Sequence, residues 1–253
     1  EAEQEAEDGY EASYVWYRAS DDDPKGAPRF FDHLDWDGDG NEEILLELED
    51  LLHQIRDNAE VRVLILTGTG NTFSAGADLS QTKGITDPQE RERIFATYRQ
   101  RRGRLVGRIL HTLVRLEPIT IAAVNGYAVG GGWALVLGCD FRIAVEGAQF
   151  WFPEVDLGVP LSPDTTALLT AHVGPSLAKE IIITCRRYTA EELLPLGLLN
   201  KVVKKEELSP TVQELASSLV NKNPNAVIVS KATINALALG QAVITPDLLL
   251  TRE

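Results

Sequence analysis

An α/β fold is predicted for this chain of 253 residues by three observations. First, the β-branched apolar runs Val61 to Leu66 and Ile119 to Val124 read as buried strands. Second, each leads into a turn of small residues and glycine: Phe73-Ser74-Ala75-Gly76-Ala77-Asp78-Leu79, and Asn125-Gly126-Tyr127-Ala128-Val129-Gly130-Gly131-Gly132. Third, helical spacing recurs between the runs, and strands that alternate with helices define this class.

The elements follow in order. Glu1 to Asp8 is acidic with only small apolar residues, which suits a solvated tail. Val15 and Tyr17 alternate within a strand from Ser13 to Ala19; Asp21 to Gly26 makes a turn, and a second strand from Arg29 to Leu34 completes a hairpin. The stretch Asp35-Trp36-Asp37-Gly38-Asp39-Gly40-Asn41 matches the first half of a calcium-binding loop. Position 12 of such a loop needs a bidentate Glu, but here it is Leu46, with Glu47 one residue late. The plainer reading is a turn in which Asp39 or Asn41 caps the next helix. Ile44, Leu45, Leu48, Leu51, Leu52 and Ile55 step by three and four, giving an amphipathic helix from Glu42 to Asn58. A long charged helix runs from Asp87 to Arg115. The second glycine turn opens an unbroken apolar stretch, Trp133 to Leu137, that suits a buried helix. Short strands follow at Phe141 to Val145 and Gln149 to Phe152, and helices dominate afterwards, one of them from Asn225 to Leu239. There is no internal sequence repeat.

Composition narrows the function classes. A net charge of −14 disfavours a general surface for nucleic acid or anionic membrane. No apolar run approaches the ~20 residues that cross a bilayer. Cys139 and Cys185 lie on apolar stretches and read as reduced core thiols, which points to an intracellular protein, cytoplasmic in the first instance or of an organelle matrix if a targeting segment was removed. The chain has no methionine, so Glu1 is read as other than the native start. His33, His53, His111 and His172 show no metal-ligand spacing, and no metal is assigned.

Five ordered words carry a resemblance: Phe73 to Leu79; Ile121-Ala122-Ala123-Val124 continuing to Gly132; Gly138-Cys139-Asp140; Ala148-Gln149-Phe150; and Pro153-Glu154-Val155-Asp156-Leu157-Gly158. The chain resembles the crotonase superfamily of enoyl-CoA hydratases and isomerases from about Val61 to Val203. The resemblance implies a crotonase-like fold of ββα spiral repeats with a C-terminal helical region: an acidic tail over 1–8, the spiral core over 9–203, and helices over 204–253 that join trimers or pairs of trimers. This last region is shorter than the family's, through truncation or a different assembly. It also implies an acyl-CoA partner, with the coenzyme A thioester as substrate and no other cofactor.

Enolate chemistry needs fixed donors where oxygen charge develops, each worth roughly 3 to 4 kcal/mol when one is removed. On the family pattern these are the backbone N–H groups of Ala77 and Gly131. Ser74, Ala75, Gly76, Asp78, Leu79 and Gly130 fall along the thioester path, Lys83 is a phosphate contact, and Trp133 borders the acyl pocket. The family's hydratases carry one glutamate just after the triple glycine and another after the later strand. Here the first position is Ala134 and the second is Glu154. One remaining carboxylate suits a Δ3,Δ2-enoyl-CoA isomerase, whose base removes a proton from C2 and returns it to C4. Alternatives are a hydratase or hydratase-lyase using Glu154 alone, and a non-catalytic acyl-CoA-binding scaffold. Asp156 and Asp164 are reserve carboxylates; an extended Glu154 to Leu157 would put Asp156 on the same side as Glu154. Arg99, Arg101, Arg102, Arg104 and Arg108 read as a solvated helix face.

Overall fold

The computed structural model describes residues 12–18, 29–31, 41–58, 60–68, 70–76 and 86–240. The expected acidic tail and the Asp35-Asp37-Asp39 motif lie outside them, as does everything after Gly240. Strands β1 (Ala12–Arg18) and β2 (Arg29–Phe31) pair antiparallel as the expected hairpin. Helix α1 (Asn41–Arg56) buries Leu45, Leu48, Leu52 and Ile55, the stripe its spacing predicted.

Three successive turns of chain then repeat one plan. β3 (Val61–Gly68), β4 (Thr72–Ser74) and α2 (Pro88–Arg115) form the first turn. β5 (Ile119–Val124), β6 (Tyr127–Val129) and α3 (Gly131–Gly138) form the second. β7 (Phe141–Val145), β8 (Gln149–Trp151) and α4 (Pro163–Thr184) form the third. The first strand of each turn enters a large sheet and the second a small one. β9 (Tyr188–Thr189) closes the small sheet and β10 (Lys201–Val203) the large one, giving orders β10-β7-β5-β3-β1-β2 and β4-β6-β8-β9. Strands β3, β5, β7 and β10 are mutually parallel, as connections through helices require. The repeat is structural only: β4, β6 and β8 are three residues each, too short to imprint a period on the sequence.

Burial explains the patterns. All six residues of β5 are buried, which is why five of them are apolar rather than alternating, the sixth, Thr120, being satisfied by Asp140. Helix α3 is apolar on every side because α2 and α4 cover it. Helix α2 starts where Asp87 accepts the Gln89 N–H, beside Pro88 in the first turn. Helix α4 starts at Ser162, whose hydroxyl accepts the Thr165 N–H, so Ser162 is a capping hydroxyl. It breaks at Gly174 (φ 74°), followed by Pro175, so two helical segments meet there.

The C-terminal helices are α5 (Ala190–Leu193), α6 (Leu208–Val220) and α7 (Pro224–Ala238). Lys231 of α7 donates to Asp140 (2.6 Å) and to the Pro118 carbonyl (2.7 Å). Asp140 also accepts from the Thr120 amide and hydroxyl, at 2.8 and 2.9 Å. Burial lowers the Lys231 pKa, and Asp140 opposes that shift. Removing one partner of a buried pair strands the other charge. Lys231→Met is therefore expected to lower the urea midpoint by the equivalent of about 3 kcal/mol; an unchanged midpoint would mean that the pair contributes nothing net.

Candidate functional site

The second glycine turn builds one wall. Gly130 adopts φ 51°, ψ −118°, a conformation closed to side chains, and caps α3 without a side-chain hydrogen bond. Its N–H donates to the Trp151 carbonyl at 3.0 Å, and its carbonyl accepts the Ala134 N–H at 3.0 Å. The amides of Gly131 and Gly132 follow in the first helical turn, where no intrahelical acceptor exists. Uncapped amides at a helix start favour negative charge.

The tie between Gly130 and Trp151 brings in the carboxylate, because Glu154 follows Trp151 by three residues. A Cβ at Gly130 would lie 2.9 Å from Glu154 Oε1. The missing side chain is thus the space that the carboxylate occupies. Glu154 Oε2 is buried with no hydrogen-bond partner among the described residues. Burial pushes its pKa up to about 7, with a hydrogen bond from its own backbone amide pulling the other way. An ionisable oxygen left unsatisfied in this way is expensive, and such groups cluster at functional sites.

The first glycine turn packs onto the second. Gly76 (φ 89°) passes so near Val129 that a Cβ would meet its carbonyl oxygen at 3.0 Å, and Ser74 Oγ accepts the Gly76 N–H at 3.3 Å. A Cβ at Gly132 would strike that of Ser74 at 2.4 Å. Strand β4 pairs with β6 in parallel, Thr72 with Tyr127 and Ser74 with Ala128. Glu154, Gly130, Gly131, Gly76 and Ser74 therefore meet at one place. Ala75 is exposed beside them. Ala77, Asp78, Leu79 and Lys83 lie outside the described residues.

One expectation needs correction. Residues 154 to 158 are not extended but a closed turn: Val159 N–H returns to the Glu154 carbonyl at 2.9 Å, and Gly158 N–H to that of Val155 at 2.9 Å. Asp156 is exposed on this turn, so the alternation that would align it with Glu154 does not exist. Trp133 is 1% exposed, stacks on Phe152 at 4.4 Å and packs against Phe150 at 5.7 Å. Ala134 is also 1% exposed, its methyl group standing at the position that the resemblance gives to a glutamate in hydratases. Asp164 is exposed on the first turn of α4, lying against Gly107 of α2.

Arg101 and Arg104 are exposed, and Arg108 forms a two-point ion pair with Glu49 at 2.6 and 2.9 Å. His172 is held near neutrality of charge, its pKa pushed down to about 4 by burial, with Nε2 facing the Leu137 carbonyl at 3.2 Å. Among the described residues, no group of three potential ligands could hold a metal, and no helix is long and apolar enough to cross a membrane. Sequence reading did not single out Asn125, whose side chain bonds the backbone of Gly68 and Gly70. The Asn-Gly dipeptide marked a turn there, but nothing in it named the partner strand.

Comparison with known proteins agrees with this geometry. The family model described as "Enoyl-CoA hydratase/isomerase" matches residues 41–245. A crotonyl-CoA hydratase of Syntrophomonas wolfei is 39% identical over 196 residues, covering 77% of this chain and 72% of that protein. A short-chain-enoyl-CoA hydratase of Clostridium acetobutylicum is also 39% identical over 196 residues, with the same coverage. The crystal structure of enoyl-CoA hydratase from Bacillus anthracis superimposes with a TM-score of 0.66 at 32% identity, covering 83% of both chains. With its ββα spiral, its paired glycine turns and these relatives, the chain belongs to the enoyl-CoA hydratase/isomerase family of enzymes and has the crotonase fold.

Proposed function

We propose that this enzyme is a Δ3,Δ2-enoyl-CoA isomerase in which Glu154 alone moves the proton. The observation that carries the reading is the Glu154 carboxylate against Gly130, beside the uncapped start of α3, with Ala134 in the position of a second carboxylate. Ionised Glu154 takes a proton from C2 of a 3-enoyl thioester. The electron pair moves into the thioester carbonyl, whose oxygen gains negative charge near the Gly131 amide and, on the family pattern, that of Ala77. Protonated Glu154 then returns the proton to C4 of the dienolate, the double bond settles between C2 and C3, and the base is regenerated. No water enters and no second acid is needed. Ser74, Ala75, Gly76, Asp78, Leu79, Lys83 and Gly130 are the proposed contacts for the coenzyme A thioester, with Trp133 and Ala134 supporting the site from behind.

A second reading, hydration of a 2-enoyl thioester by Glu154 alone, is favoured by the hydratase names of the two bacterial relatives. Product analysis with 3-enoyl-CoA and 2-enoyl-CoA separates the two. Migration without hydration is the expected result; hydration of the 2-enoyl thioester at a comparable rate would move the assignment to the hydratases. A base near its pKa adds a pH signature. Since only ionised Glu154 accepts a proton, kcat/KM for the 3-enoyl thioester is expected to rise through about pH 7 and level off above it. A profile flat from pH 5 to 8 would rule out Glu154 as the base.

Trimeric or hexameric assembly is also proposed. It is supported by α7, where Ile234 and Leu237 are 63% and 66% exposed. Light scattering on purified protein tests it, and a monomer at micromolar concentration would reject it.

A further inference from the structure

The crossing between β3 and β4 and the crossing between β5 and β6 run side by side, and one side chain joins them. Asn125 Nδ2 donates to the Gly68 carbonyl at 2.8 Å and to the Gly70 carbonyl at 3.2 Å, while its Oδ1 accepts the Gly68 N–H at 3.2 Å. These bonds span 57 and 55 residues of chain. The backbones are in close contact here: a Cβ at Gly126 would fall 1.6 Å from the Asn71 carbonyl oxygen. Beyond the crossings the short, irregular β4–β6 pairing and the close packing of Gly76 on Val129 and of Ser74 on Gly132 continue the contact between the two glycine turns. One turn carries Gly76 and the other carries Gly130 and Gly131.

The geometry points to Asn125 as a positioning residue that sets the register of the first glycine turn against the second, and so the aim of the backbone amides at the site. This rests on the reading that the site forms a thioester enolate. Among the described residues the side-chain hydrogen bonds of Asn125 all go to backbone, and it acts at the ends of β3 and β5, from which both turns depart. An amide is the group required. It offers an acceptor to Gly68 N–H and donors to two carbonyls at once; a carboxylate of the same shape keeps the acceptor but sets oxygen against both carbonyls. A misplacement of even 1 Å in such a frame costs about 10²-fold in rate.

A control separates positioning from mere support. Thr67 Oγ1 donates to the Ala123 carbonyl at 2.8 Å, also linking β3 to β5, but one residue before either crossing begins. The experiment measures exchange of the C2 hydrogens of a saturated acyl-CoA for deuterium by NMR, which reports enolate formation whether the enzyme isomerises or hydrates. Wild type, Asn125→Ala, Asn125→Asp and Thr67→Val are compared at equal folded fraction, with acyl-CoA affinity measured in parallel. The expected result is a loss of about 10²-fold in exchange for both Asn125 variants. Affinity should change less than threefold and the pH midpoint should not move, while Thr67→Val exchanges like wild type despite a lower melting temperature. Wild-type exchange rates in both Asn125 variants, or an equal loss in Thr67→Val, overturn the role of Asn125. Wild type that binds the thioester without exchanging its C2 hydrogens overturns the enolate reading, and the proposal with it.

Discussion

Glu154→Gln is expected to lower turnover of a 3-enoyl-CoA by about 10²- to 10⁴-fold while the protein stays folded and still binds the thioester. Gln keeps the shape of the side chain and loses only the ability to take and return a proton. Stability should move in the opposite direction. The folded-state pKa of Glu154 is raised from 4.5 to about 7 by burial, so ionisation opposes folding. Below pH 4.5 the carboxyl is neutral in both states and costs nothing. Between pH 4.5 and about 7 the folded protein retains a proton that the unfolded chain releases, and stability falls. Above pH 7 the cost is complete, about 3 kcal/mol at most for a shift of this size. The gain in melting temperature from Glu154→Gln should therefore be larger at pH 8 than at pH 5. Loss of activity together with lost stability at pH 8 would mean that Glu154 is a structural carboxylate. Full activity would dismiss it as the proton carrier.

Gly130→Ala is expected to be nearly as damaging, for a reason visible in the backbone. At φ 51° and ψ −118° an L side chain is strained, and the new Cβ would stand 2.9 Å from Glu154 Oε1 and 3.9 Å from Pro153 Cδ. Relief requires Gly130 to rotate or Glu154 to withdraw. Rotation swings the Gly131 amide off the developing oxyanion, and loss of one such donor costs about 10²- to 10³-fold in kcat. The strain itself removes about 1–3 kcal/mol of stability. Steady-state kinetics with urea unfolding on the same preparation tests both. A variant that loses stability but keeps kcat would show that the amide at 131 does not serve the reaction.

The strands and helices with long apolar runs were legible because their periods were sustained. β3, β5, α1 and α2 fall within a few residues of where spacing placed them. The carboxylate was legible from the family words. The turn after it was not. Val155 and Leu157 alternate with Glu154 and Asp156 as a strand would, yet both apolar side chains are exposed and the backbone closes on itself at Gly158. Alternation over four residues cannot distinguish a pleat from a turn, and the strand that leads into it, β8, has already ended at Trp151. The packing of Trp133 was not legible either, because the rings it meets, Phe150 and Phe152, come from β8 and the residue after it. The hydrogen bonds of Asn125 join residues more than fifty positions apart, and no local pattern encodes such a pair.

The anchor of α7 bears on the order in which this protein can be made. Lys231 meets Pro118 and Asp140 where β5 and β7 begin, the ends of those strands remote from the glycine turns, and the bond to Pro118 closes a loop of 113 residues. Contacts so distant in sequence form late, since loop closure must precede them. A nascent chain emerging N-terminus first can pair β3, β5 and β7 and assemble both glycine turns while Asp140 still lacks its counterion. Synthesis of α7 then completes the ion pair, so a chain stalled on the ribosome before Lys231 would carry a formed site on a sheet whose far end is uncompensated. Such stalled chains should be more protease-sensitive around 118–120 and 139–142 than the released protein.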